Sequence, residues 1–240
     1  MTAGPFDHIL NWRLLAGSHA FPGPDGGTCI NEAAIVAAGL PYKAIQATED
    51  CPPCFSRPLA AYALGINDAM PDAERPRLMA FVLRLSGSAD SEVVETERTE
   101  FLALESVRRI LPPLLDTAGL PALAARCEIA AGSTDAMAAA RTAESQGAVL
   151  AQAASHRRAW LQGARLAAVS RTATAAVRAF GDARCAAEVA EGAAPFAEGI
   201  WLMAVAILDE ALAIGRQAPE IDLLRARERL DAARASSVGA

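Results

Sequence analysis

The chain has 240 residues, 52% of them hydrophobic but only 5% aromatic, and a formal net charge of −6. That length and apolar content can bury a core, as one large domain or two small ones. The negative balance argues against a nucleic-acid binder driven by phosphate neutralisation.

Much of the apolar content is alanine, which favours helix and buries little area per residue. Strand-type Val/Ile/Thr runs with period two are nearly absent. The expected fold is all-α: a helical bundle or irregular helical array with a loop-rich N-terminal region.

Taken in order, Phe6, Ile9, Leu10 and Leu14 have helical spacing, and Gly17 stops that helix. The Gly/Pro-rich stretch from Gly17 to Gly27 fits neither helix nor strand. Thr28 is the expected N-cap of a helix over Cys29–Ala38, ended by Gly39 and Pro41. Residues 42–58 read as loop and carry C-P-P-C. A helix follows from about Pro58 to Met70, and another, capped by Asp72, runs to about Leu85.

Ser86–Ser91 is a polar break. It divides the chain into an N-terminal loop-and-helix region, 1–88, and an alanine-rich helical region, 89–240. A long helix is expected from Glu92 to about Leu111, where Pro112-Pro113 break or kink it. A shorter helix follows over Leu120–Ala130. The region 136–177 supports long helices without a fixed repeat. Trp201, Val205, Leu208 and Leu212 form a helical stripe. Ile221–Ala233 reads as a charged amphipathic closing helix.

The longest apolar run, Gly199–Leu208, is too short to span a bilayer, which takes ~20 residues. No basic segment precedes an apolar core in residues 1–16, so the expected compartment is the reducing cytoplasm. Five cysteines then read as thiols or metal ligands. His156-Arg157-Arg158, with Arg165 and Arg171, reads as a solvated basic helix face. The expected partners are another protein or a second copy, through the helical region, with no nucleic acid and no membrane.

Chemistry concentrates in Gly17–Ala33, G-S-H-A-F-P-G-P-D-G-G-T-C-I-N-E-A. Cys29 at a helix N-terminus would have its thiolate favoured by the helix dipole. Under a cysteine hydrolase or acyl-transferase reading it is the nucleophile and His19 the base. Asp25 or Glu32 then orients the base, and Gly26-Gly27 form part of an oxyanion site. The bland reading makes Cys29 a small buried hydrophobe and Glu32 a first-turn carboxylate favoured by the helix dipole.

A second possibility is zinc. Cys51-Pro-Pro-Cys54 has ligand spacing, and His19 with Cys29 would complete a closed, structural Cys₃His set. A redox dithiol at C-P-P-C is disfavoured by Pro53 and by the lack of a preceding strand. Asn67-Asp68 reads as a helix-end turn, functional only if it faces the Gly17–Ala33 loop. Glu95, Glu97 and Glu100 match no di-metal pattern.

G-S-H (17–19), D-G-G-T-C-I-N-E-A (25–33), C-P-P-C (51–54), N-D (67–68) and R-x-x-L (75–78) together resemble a family of uncharacterised bacterial and phage proteins. Their pattern is G-S-H, D-G-x-C-x-x-E-A, Pro-x-Cys and N-D, followed by an alanine-rich helical half. The resemblance covers residues ~11–86 well. His19, Asp25, Cys29, Glu32 and Cys54 match it, whereas Cys51 and Phe21–Pro24 depart from it. It implies a shared site but no particular activity. The leading expectation is a helical interaction or accessory protein whose His/Cys-bearing loop is structural, with zinc as the candidate cofactor.

Overall fold

The computed structural model describes residues 13–19, 27–216, 228 and 232. The fold is mostly helical, with one small two-stranded sheet among the described residues. The chain divides into two compact units: residues 1–95 with 212–240, and residues 96–211. No described helix is long and apolar enough to cross a membrane.

In the first unit, β1 (Arg13–Leu14) pairs in parallel with β2 (Gly27–Thr28). The spacing that predicted a helix through Leu15 therefore ends in extended backbone instead. The Leu15 N–H donates to the Thr28 carbonyl at 2.9 Å, an inter-strand bond that a helix would forgo. α1 (Ile30–Ala37) follows directly, and every one of its residues is buried. Its N-cap is Cys29, not Thr28, because Thr28 is already committed to β2.

α2 (Arg57–Ala69) starts close to the expected Pro58, which lies in its first turn, and the Ser56 hydroxyl is its N-cap. The helix expected over 72–85 is instead a 3-10 segment, Arg75–Phe81, followed by the single α-turn α3 (Val82–Leu85). α1 packs on α2, on α3 and on that 3-10 segment. Ile30, Ile35, Leu59, Tyr62, Leu64, Ile66, Leu78 and Leu85 form the core they share.

α4 (Glu92–Glu105) begins in this first unit and leads into the second. The chain stays helical through the expected break or kink, but the regular α-pattern is interrupted just before the prolines. A π-turn over Ser106–Ile110 precedes α5 (Leu111–Thr117), so Pro112 and Pro113 fall in a first turn, where fewer backbone N–H groups are needed. The Leu111 N–H reaches back five residues to the Ser106 carbonyl. At the start of the turn the Ser106 hydroxyl donates to the Leu102 carbonyl at 2.7 Å.

α6 (Pro121–Glu128) leads to a long antiparallel hairpin, α7 (Ser133–His156) and α8 (Trp160–Arg178). α7 buries Ala136, Ala139, Ala140, Ala143 and Gly147, a seam of small side chains at helical spacing. α8 also packs on α5 and on α9 (Ala183–Ala193). In α10 (Ile200–Leu212) the expected Trp201 stripe is only half inward: Leu208 and Leu212 are buried, Trp201 and Val205 partly exposed. The closing helix expected over Ile221–Ala233 lies outside the described residues, apart from Glu228 and Ala232.

Candidate functional site

Glu32 organises the N-terminal unit. It is the third residue of α1 and has no solvent exposure. Its carboxylate accepts four hydrogen bonds from three separate segments. The Cys29 N–H donates at 2.9 Å, the Ile45 N–H at 3.0 Å, and the His19 N–H and Ser18 hydroxyl at 3.2 Å each. In return the Glu32 N–H donates to the Cys29 sulfur at 3.4 Å. Cys29 and Glu32 thus form a reciprocal capping box, with a thiol where serine or threonine is usual.

This geometry gives each expected site residue a definite place. Cys29 is fully buried, and its thiol pKa is pushed well above the ordinary value, first by desolvation and then by Glu32. That is opposite to the direction the cysteine-hydrolase reading needs: burial and the nearby carboxylate outweigh the helix dipole. The His19 ring does not meet the thiol through its Nε2, which lies 3.0 Å from the Ala16 carbonyl. It is the His19 backbone that engages Glu32, and the Tyr42 hydroxyl donates to the His19 carbonyl. Asp25 and Gly26 lie outside the described residues.

The two thiols of C-P-P-C differ in burial. Cys51 is buried, and its carbonyl accepts from Arg57 at 2.9 Å. Cys54 is partly exposed, 4.0 Å from the Ser86 hydroxyl. Among the described residues, no group of three or more His, Cys, Asp or Glu side chains could hold a metal ion.

Asn67-Asp68 does face the loop. Asp68 accepts the Gly17 N–H at 2.9 Å, and the Asn67 amide donates to the Leu15 carbonyl at 2.8 Å. Arg75 is buried and donates to the Asn67 and Met70 carbonyls, closing the C-terminus of α2. Sequence reasoning missed a second polar knot. The Ser56 N–H donates to Ser88 at 3.1 Å, Ser88 donates to the Leu85 carbonyl, and the Ser56 hydroxyl donates to Glu95. Glu95 also accepts the Asp90 N–H. The available signal was Ser56 before Arg57-Pro58, an N-cap pattern.

Among the described residues of this unit, three buried polar atoms have no hydrogen-bond partner: Thr28 Oγ1, Asn31 Oδ1 and Asn67 Oδ1. The amide nitrogens of both asparagines are bonded, Asn31 to the Ala60 carbonyl and Asn67 to Leu15, so half of each amide is satisfied. Compared with protein families, curated proteins and solved structures, the chain finds no match.

The buried thiols carry a pH dependence. Desolvation raises Cys51 and Cys127 from an ordinary value near 9.0 to about 11. In the unfolded chain these thiols ionise near pH ~8.5, whereas the folded chain holds their protons longer. The stability they contribute is therefore fully present below that pH and is lost as the pH rises towards 11. Urea midpoints measured at neutral pH and at successive alkaline steps should fall across this window. A midpoint that rises there contradicts the assignment.

Proposed function

We propose that the chain is a helical interaction or accessory protein whose His/Cys-bearing loop is structural. The observation that carries this is the Glu32 carboxylate, which accepts from Ser18, His19, Cys29 and Ile45 and ties three segments into one unit. Residue types suited to catalysis are occupied here with backbone groups. A buried thiol with a raised pKa is a poor nucleophile, because only the thiolate attacks. An interaction role is supported by two large apolar side chains, adjacent in sequence, that stand in solvent, Trp160 and Leu161.

The test is a residue-resolved iodoacetamide titration of the native chain at neutral pH. Cys54 should alkylate first, and Cys29, Cys51, Cys127 and Cys185 only after denaturation. Alkylation of Cys29 faster than an unfolded thiol would sink the structural reading and favour a cysteine hydrolase or acyl transferase. Stoichiometric zinc in the purified chain, released by Cys54→Ser, would transfer the loop's structural role from Glu32 to a metal.

A further inference from the structure

We propose that the α7–α8 turn, Ser155–Leu161, is the docking surface for an acidic protein partner, with Trp160 as its apolar anchor and Arg157 and Arg158 as its cationic rim. The proposal rests on the interaction reading above and supplies its surface and the partner's chemistry.

Three observations meet at this turn. The first is exposure. All seven residues, S-H-R-R-A-W-L, are exposed, with Trp160 at 69% and Leu161 at 66%. An adjacent indole and leucine in solvent is a contact surface of the kind interfaces use: Trp and Arg are the residue types that dominate binding hot spots.

The second is charge. The turn carries Arg157 and Arg158, and no aspartate or glutamate occurs in residues 145–181, in a chain of net charge −6. Among the described residues, neither Arg157 nor Arg158 is in an ion pair; Arg157 Nε lies 3.2 Å from the Ala153 carbonyl. The local sign opposes that of the chain as a whole, so an acidic partner is attracted here and repelled elsewhere.

The third is backbone conformation. α1, α5 and α7 end with the same paired hydrogen bonds, a Schellman motif. In α1 they are Gly39 N–H to Val36 and Leu40 N–H to Ile35; in α5, Gly119 N–H to Asp116 and Leu120 N–H to Leu115. In α7 they are Arg158 N–H to Ser155 and Ala159 N–H to Ala154. The left-handed position is glycine in the first two, with φ of 71° and 78°. In the third it is Arg158, with φ of 58°, the only non-glycine residue at positive φ among the described residues. A glycine would serve the fold better there. Strain held where the fold does not require it points to use of the side chain.

Other anionic partners fit less well. Membrane recognition by basic clusters uses about 4–8 Lys/Arg, and this turn presents two. Two phosphate contacts would leave nucleic-acid binding weak at physiological salt.

The experiment uses the full chain carrying the photo-cross-linker p-benzoylphenylalanine at Leu161 and, separately, at Val93 or Leu202, irradiated in cells that make the protein naturally. The Leu161 probe should capture a protein segment rich in Asp and Glu around apolar residues. With that partner purified, Trp160→Ala should weaken binding about 100-fold and the pair Arg157→Glu/Arg158→Glu at least ~10-fold. Raised salt should weaken it as well. Arg158→Gly should raise the melting temperature by about 2–4 °C while weakening binding, a split that a purely structural role would not give. A neutral or basic captured segment, an RNA or lipid adduct, or full affinity in Trp160→Ala overturns the proposal. Capture only through Val93 or Leu202 overturns the turn as the site and leaves the interaction reading standing. No capture at any position overturns both.

Discussion

Glu32→Ala is expected to lower the unfolding free energy by about 3–5 kcal/mol, a large share of a typical domain's ~5–15 kcal/mol. The Cys29 and Ile45 N–H groups would lose their acceptor in buried sites, at about 1–3 kcal/mol each. The Ser18 and His19 donors lie nearer the surface and regain water, so they add less. The other half of the capping box, the residue-32 N–H to the Cys29 sulfur, has a main-chain donor and survives the substitution. Glu32→Gln should fall between the two, because one acceptor oxygen becomes an NH₂ facing other N–H groups. Urea unfolding measures the size of the effect. Amide hydrogen exchange locates it: protection should drop over α1 and at Ile45 and persist in α7 and α8. A cost below ~1 kcal/mol would mean that Glu32 is not the pin of this unit.

Bonds between distant segments, like those to Glu32, also divide what could be read from the residues alone from what could not. A helix declared itself at Pro58, which falls in the first turn of α2, but the expected Asp72 cap and the apolar residues after it did not secure an α-helix over 72–85, which folds as a 3-10 segment and a single turn. Helical spacing misled where a non-local bond decided the matter. Leu14 has helical spacing with Leu10 in sequence, yet its neighbour Leu15 bonds to Thr28, which no local pattern can announce. Pro112-Pro113 read as a break or kink, whereas a π-turn just before them carries the chain on into α5.

The motif residues were legible as a group, and their roles were not. His19 was singled out for its imidazole, but it is its backbone N–H that reaches Glu32. Cys29 was singled out for a thiolate, but its sulfur accepts an N–H. Sequence gives residue identity and spacing. Whether a side chain or a main chain makes the contact depends on where distant segments cross.

Gly147→Val should destabilise the α7–α8 hairpin by about 2–4 kcal/mol, at or above the usual ~1–3 kcal/mol of overpacking. A Cβ at Gly147 would stand 2.9 Å from the Ser170 backbone nitrogen, 3.0 Å from the Leu166 carbonyl and 3.1 Å from a Val169 methyl. Two of these neighbours are main chain, which cannot turn aside, so the helices must separate along their alanine seam. Gly147→Ala tests the balance more finely, because the same backbone contacts oppose a gain of about 1 kcal/mol in helix propensity. Gly163→Ala is the control. Its nearest neighbour would be the Ala154 methyl at 3.6 Å, an ordinary contact, so propensity acts alone and the change should stabilise by about 0.5–1 kcal/mol. If both alanine variants stabilise equally, the close approach at Gly147 does not set the helix spacing. If they diverge, the hairpin that carries Trp160 is held by backbone-to-backbone packing, and glycine is required at residue 147 for want of a side chain.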